Sequence, residues 1–124
     1  MGMELKFEKL EVWQIALEAI TVIYFLLDRY SKKERFSLAA QGHRSMVSVA
    51  LNIAEGNMRQ SRKEYAQFVG IATGSLVETI ANLKIAMRLG YTDPGEYDAV
   101  SLLLEKLYFK LLALRKSLRT EGSQ

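Results

Sequence analysis

The chain contains no cysteine, one proline, one histidine, and two long stretches with almost no charge. The missing cysteine excludes a disulfide framework, thiol chemistry and cysteine-ligated metal, and it fits a reducing compartment. A di-iron helical bundle needs repeated Glu-x-x-His motifs, and the residue three before the lone His43 is Ala40. A catalytic triad needs a histidine beside a nucleophile and a carboxylate. On a helix, His43 has Ala39, Ala40, Met46, Val47 and Ala50 for neighbours, which favours a packed or interface role. No glycine-rich phosphate loop of the P-loop or dinucleotide-binding type is present. The residues therefore nominate no catalytic group, no metal ligand, no cofactor and no small-molecule substrate, and the expectation is a protein that is not an enzyme. The longest apolar run, Ala19 to Leu27, is interrupted by Thr21 and is far short of the ~20 residues that span a bilayer. The N-terminus, Met-Gly-Met-Glu-Leu-Lys-Phe-Glu, lacks the apolar core of a signal peptide. A cytoplasmic protein with no membrane contact is expected.

What is present reads as one all-α domain over residues 1–124. The 49% hydrophobic and 25% charged fractions are those of a folded globular chain. No run alternates with the period of a strand, and the one proline sits at a helix start. Helix 1 is expected over about 9–29, with an apolar seam of Leu10, Trp13, Leu17, Ile20, Tyr24 and Leu27. A second seam of Val12, Ala16, Ala19, Ile23, Leu26 and Tyr30 lies beside it. Ser31-Lys32-Lys33-Glu34 has capping-box spacing and opens helix 2, over about 32–55, with Gly56 as its stop. Ser61-Arg62-Lys63-Glu64 repeats that spacing and opens helix 3, over about 62–89, stopped by Gly90. Asp93-Pro94-Gly95-Glu96 opens helix 4, over about 94–119, whose seam is Tyr97, Val100, Leu104, Leu107, Leu111, Leu114 and Leu118. Short connections make successive helices antiparallel, so the expected fold is an up-down-up-down four-helix bundle.

Helices 2 and 3 are the charge-poor part of the chain. Between Phe36 and Ala54 the only full charge is Arg44, and between Tyr65 and Leu83 it is Glu78. A surface helix normally keeps a charged face for water, and 124 residues cannot cover two such helices with their own polypeptide. The expected cover is another copy of the same chain. On helix 2 the stripe Gln41, Arg44, Ser48, Asn52 and Glu55 is mostly short and neutral, as suits a contact that satisfies its hydrogen bonds internally. On helix 3, Ala66, Gly70 and Gly74 are spaced by four and form a groove where another backbone can approach. Glycine inside a helix costs about 1 kcal/mol relative to alanine, so close packing must compensate. Pairing around a turn near residues 58–60 sets Arg44 opposite Gly74, with Glu78 about one helical turn away. Arg44 and Glu78 are expected to be partly buried and ion-paired, within a chain or between copies. Asn52, Gly70 and Gly74 join them in the contact. Loss of one partner of such a pair costs about 3–5 kcal/mol.

The charges that remain cluster at the ends. Net charge is +3. Arg59, Arg62 and Lys63 surround the start of helix 3, where free N–H groups and the helix dipole favour anions. Arg115, Lys116, Arg119, Lys6 and Lys9 share that end, against the acids Glu4, Glu8, Glu11, Glu55, Glu64 and Glu121. Arg29, Lys32, Lys33 and Arg35 make a second basic spot at the opposite end. Arg59, Arg62, Lys63, Arg115, Lys116 and Arg119 are the candidate nucleic-acid-binding residues, for RNA or DNA. The competing expectation is a protein–protein adaptor or scaffold that binds no nucleic acid.

Several blocks carry a family likeness: Leu10-Glu11-Val12-Trp13-Gln14, then Asn52-Ile53-Ala54-Glu55-Gly56 with Arg59, Glu64 and Phe68. Ala72-x-Gly74-Ser75-x-x-Glu78 and Leu89-Gly90-Tyr91 continue it. In these the chain resembles the 23S ribosomal RNA intervening-sequence proteins, a bacterial family of four-helix-bundle proteins, over about residues 8 to 119. The resemblance implies a four-helix bundle that assembles as a homopentamer and has no established enzymatic activity. Some family members are encoded within insertions in ribosomal RNA genes. A distantly similar group, accessory proteins of diversity-generating retroelements, are pentameric bundles that contact nucleic acid through basic surfaces. This chain has His43-Arg44 where the family usually has two arginines, and Ala50 where it often has proline. Of the basic pair, only Arg44 carries over.

Overall fold

The computed structural model describes residues 2–122, with side chains through Thr120. The described residues form four α-helices and no strand: α1 (Glu11–Leu27), α2 (Leu38–Asn57), α3 (Arg62–Leu89) and α4 (Pro94–Gly122). Each helix packs on the next, and α4 returns to α1, closing the set around one core. Ile23, Leu27, Met46, Ile53, Leu76, Leu83, Leu104, Leu107 and Leu111 are the largest side chains fully inside it. At roughly 25 cal/mol per Å² of apolar surface removed from water, each contributes on the order of 2 kcal/mol. Among the described residues, α3 alone has the length and composition to cross a bilayer, a test that the core helix of a bundle also passes.

The helix boundaries show which local signals act. At α4, Asp93 Oδ1 accepts from the Glu96 N–H at 2.8 Å, and Glu96 Oε1 accepts from the Asp93 N–H at 3.0 Å. That is a complete reciprocal cap, with Pro94 at the first helical position. At α3, Ser61 Oγ accepts from the Glu64 N–H at 3.0 Å. Gly90 ends α3 at φ 84°, the left-handed region that only glycine enters cheaply, and the Tyr91 N–H reaches back to Ala86 O at 2.8 Å.

Helix 2 departs from expectation. The Ser31–Glu34 box opens only a 3-10 turn (Lys32–Glu34), and α2 begins at Leu38. The Glu34 carboxylate does not complete the box at Ser31. It accepts from Ser37 Oγ at 2.6 Å and from the Tyr91 hydroxyl at 3.0 Å, and those two bonds, in that order, hold its pKa below the ordinary 4.5. Gly56 does not stop the helix either. It lies buried inside α2, where a Cβ would come 2.7 Å from the Cβ of Phe68, so it marks a close crossing of α2 and α3. The second α1 seam is buried throughout, at Val12, Ala16, Ala19, Ile23, Leu26 and, just past the helix, Tyr30; of the first, Leu27 is buried, Leu10, Trp13 and Ile20 pack against the core, and Leu17 and Tyr24 are exposed. The α4 seam is as expected, inward along its length, with Tyr97 and Leu114 at its margins.

Candidate functional site

The α2–α3 contact is sealed by short hydroxyl and amide side chains. Ser45 and Thr79 share a hydrogen bond of 2.7 Å, Ser48 and Ser75 one of 2.8 Å, and the Asn82 amide donates to Leu38 O at 2.8 Å. These groups satisfy the polar needs of the contact. Arg44 and Glu78 each stand one residue away from a member of the Ser45–Thr79 pair, about 100° round its helix, and both turn outward to solvent. The expected burial of the pair within one chain is therefore corrected, and no ion pair joins them among the described residues. The register is also shifted: the Ser45–Thr79 and Ser48–Ser75 bonds set Arg44 level with Thr79 and Ile80, not with Gly74. Asn52 is half-buried and turns back onto its own helix, donating to Ser48 O at 2.8 Å and to Ser48 Oγ at 3.1 Å.

The glycine groove on α3 also divides. Ala66 is buried, Gly70 lies beneath the Arg115 guanidinium, and Gly74 faces open space. Steps of four residues advance 400°, so the row drifts ~40° at each step and leaves α4 behind by Gly74.

At one end of the bundle, between the first turns of α3 and the last turns of α4, lies a groove of about 700 Å³. Ala66 and Leu118 form its floor, Ser61 and Gln67 give polar edges, and Arg62, Lys63, Arg115 and Arg119 line the rest. Among the described residues no carboxylate lines it. Two of its arginines are tied to backbone across the α3–α4 junction. Arg115 Nε donates to Ala66 O at 3.3 Å, and Arg62 Nη2 donates to Ser117 O at 3.5 Å. Gly70 leaves the space in which Arg115 lies; a Cβ there would be 2.9 Å from its Cζ.

Three acids of this end, Glu55, Glu4 and Glu11, engage cations outside the groove. Glu55 takes Arg59 at 2.7 Å, and the same guanidinium lies 4.7 Å over the Phe68 ring. Glu4 approaches Lys9 at 3.6 Å. Glu11 binds Lys110 at 2.8 Å. The Lys110 hydrogen bond, then its charge, holds the Glu11 carboxyl below the ordinary range, with Lys106 adding to it against a small burial penalty. Glu8 accepts the Leu5 N–H, and Glu64 belongs to the α3 cap. The Glu121 side chain lies outside the described residues.

Four of the six candidate cations, Arg62, Lys63, Arg115 and Arg119, thus meet in one groove. Arg59 and Lys116 do not line it; Arg59 is bound to Glu55, and Lys116 is exposed on α4. The role of Gly70 under Arg115 carried no signal in the residue pattern, because it depends on the angle at which α4 crosses α3.

The opposite end is differently built. A cavity of about 360 Å³ there is lined by Leu27, Asp28, Tyr30, Arg35, Ala39 and His43. His43 packs edge-on against the Tyr24 ring at 4.0 Å and sits 3.6 Å from the Asp28 carboxylate, so it is packed as expected. Arg29 pairs with Glu96 and reaches over the Phe25 ring. Among the described residues no three His, Asp or Glu side chains converge to hold a metal.

Fold and groove together define an all-helical, four-helix protein with a cationic groove at one end. The chain belongs to the 23S rRNA-intervening sequence protein family, whose model matches residues 8–113. It is similar to a solved structure from Bacteroides thetaiotaomicron, a protein of unknown function from the S23 ribosomal protein family. The two are 25% identical, with a TM-score of 0.76, and the match covers 85% of this chain and 98% of that one. No curated protein matches the chain significantly.

Proposed function

We propose that this protein is a non-catalytic, cytoplasmic, homo-oligomeric helical bundle that binds nucleic acid, RNA or DNA, in the groove between α3 and α4. The observation that carries this reading is the groove's lining of Arg62, Lys63, Arg115 and Arg119, with no carboxylate among the described residues. Phosphate contacts of this kind supply sequence-independent affinity through counterion release. The start of a 28-residue helix, whose first helical bond runs from Tyr65 to Ser61, adds the positive end of its dipole. Retention of a labelled single-stranded oligonucleotide at low salt, released as salt rises, is the expected result. No retention at low salt would end this reading.

Successive helices in this reading run antiparallel, up-down-up-down. Support comes from the descending partners of α2 on α3: Leu38 with Asn82, Ser45 with Thr79, Ser48 with Ser75 and Asn57 with Tyr65. Self-association uses the outer face of α2 and α3, where Arg44, Leu51, Ile71, Gly74 and Glu78 all stand exposed. Five copies is the number that the family likeness implies. Across that face Arg44 of one copy meets Glu78 of the next. Light scattering tests this: Arg44→Glu dissociates the assembly, and adding Glu78→Arg restores it. An unchanged mass for both variants would refute the pairing.

A second reading, a protein–protein adaptor, draws on Leu102 and Phe109. They are seven residues apart on one face of α4 and exposed by 76% and 62%. It predicts partner binding that does not weaken with salt.

A further inference from the structure

Gly70 and Arg115 belong to different helices and meet at one point. The Arg115 guanidinium lies across the bare backbone of Gly70, with Cζ, Nε and Nη2 at 2.9–3.1 Å from where a Cβ would stand. Its Nε–H is taken by Ala66 O at 3.3 Å. Its two terminal nitrogens have no protein acceptor among the described residues, and the side chain is only half-exposed on the groove wall. A long arginine is normally loose at a surface. This one is held at Nε and rests on the α3 backbone, so ordering it costs a ligand little.

We propose that Gly70 is a positioning residue for Arg115. Its missing side chain is the seat that fixes the guanidinium as a fork, and the fork takes one phosphate group by two parallel N–H···O bonds. The inference rests on the anion-binding reading of the groove and names the group that makes it specific for phosphate oxygens. The remaining lining cations, Arg62, Lys63 and Arg119, supply field around it. The phosphate belongs to a nucleic-acid backbone, and a free phosphate compound presents the same oxygens.

Gly70→Ala makes a clean probe. The three atoms nearest the added methyl all belong to the movable end of an arginine, and alanine is the better helix former, so the fold is retained while the guanidinium is pushed off its seat. The experiment titrates wild type, Gly70→Ala, Arg115→Gln and the double variant with a labelled single-stranded RNA and, separately, with inorganic pyrophosphate at low salt. Melting temperature is measured on each variant. Gly70→Ala is expected to weaken binding of whichever probe wild type retains by about tenfold, with no fall in melting temperature. The double variant is expected to be no weaker than Arg115→Gln alone, because both changes act through one guanidinium. Unchanged binding in Gly70→Ala, or losses that simply add in the double variant, would overturn the seat while leaving nucleic-acid binding intact. Losses seen with pyrophosphate, when wild type retains no RNA, would uphold the seat and remove the nucleic-acid reading. Wild type that retains neither probe overturns both.

Discussion

The two ends of this bundle draw on the same residue types, but only one assembles them into a cationic groove. At the α3–α4 end, Glu55, Glu4 and Glu11 pair with Arg59, Lys9 and Lys110, which do not line the groove, and Arg62, Lys63, Arg115 and Arg119 face one space. At the other end Arg29 is bound by Glu96, and the cavity that holds Arg35 and His43 also holds Asp28. Counting charges would rank both ends as mildly basic. Among the described residues, a carboxylate in the lining distinguishes them. An anion is drawn to where carboxylates have been partnered elsewhere, and the net charge of +3 says little about where that is.

The largest effects should be the same at both ends and so set a baseline. Leu111→Ala on α4 and Leu27→Ala at the far end both remove fully buried side chains. Each should lower stability by about 2–5 kcal/mol in urea unfolding. A much smaller loss at either would break the picture of one shared core. Charge removal should then separate the ends. The triple Lys63→Gln, Arg115→Gln, Arg119→Gln should weaken single-stranded RNA binding on the order of a hundredfold at low salt. Lys32→Gln, Lys33→Gln, Arg35→Gln should change it by no more than about twofold, and equal losses in the two triples would erase the distinction.

Helix caps give the next size of effect. Asp93→Ala removes the far-end cap and should cost about 0.5–2 kcal/mol without altering RNA affinity. Ser61→Ala should cost a similar amount and also weaken binding, since Ser61 both caps α3 and edges the groove. The smallest effect is the acid one. The folded pKa values of Glu11 and Glu34 lie below the ordinary 4.5, so the stability they add is present above that pH and is lost as pH falls through the lowered values. Glu34→Gln should flatten the stability change between pH 6 and pH 3, read by urea unfolding. An unaltered slope would show that Ser37 and Tyr91 do not matter to it.

Much of the fold was legible in the residues, and the failures have local causes. Both α3 boundaries and the start of α4 follow from the capping boxes and from Gly90, while α4 runs on past the expected 119 to Gly122. The box at Ser31 misled because Glu34 found better donors in Ser37 and Tyr91, a long-range choice that spacing alone does not reveal. On α1 two adjoining seams read alike, and only the positions of α2 and α4 decide which is inward. Four groove cations were in view as members of a charged end, but their convergence depends on which acids are drawn aside. Arg44 and Glu78 were conspicuous for their isolation. Their exposure in the single chain follows from Ser45 and Thr79 filling the contact instead.

The most direct test of the account is the salt dependence of single-stranded RNA binding by wild type and by the groove triple, with the far-end triple as control. Wild type should show log affinity falling linearly with log salt, and the groove triple should flatten that slope by ~2, close to 0.7 per phosphate contact removed. The far-end triple should keep the wild-type slope. A groove triple whose slope matches wild type would contradict the claim that phosphate is held there.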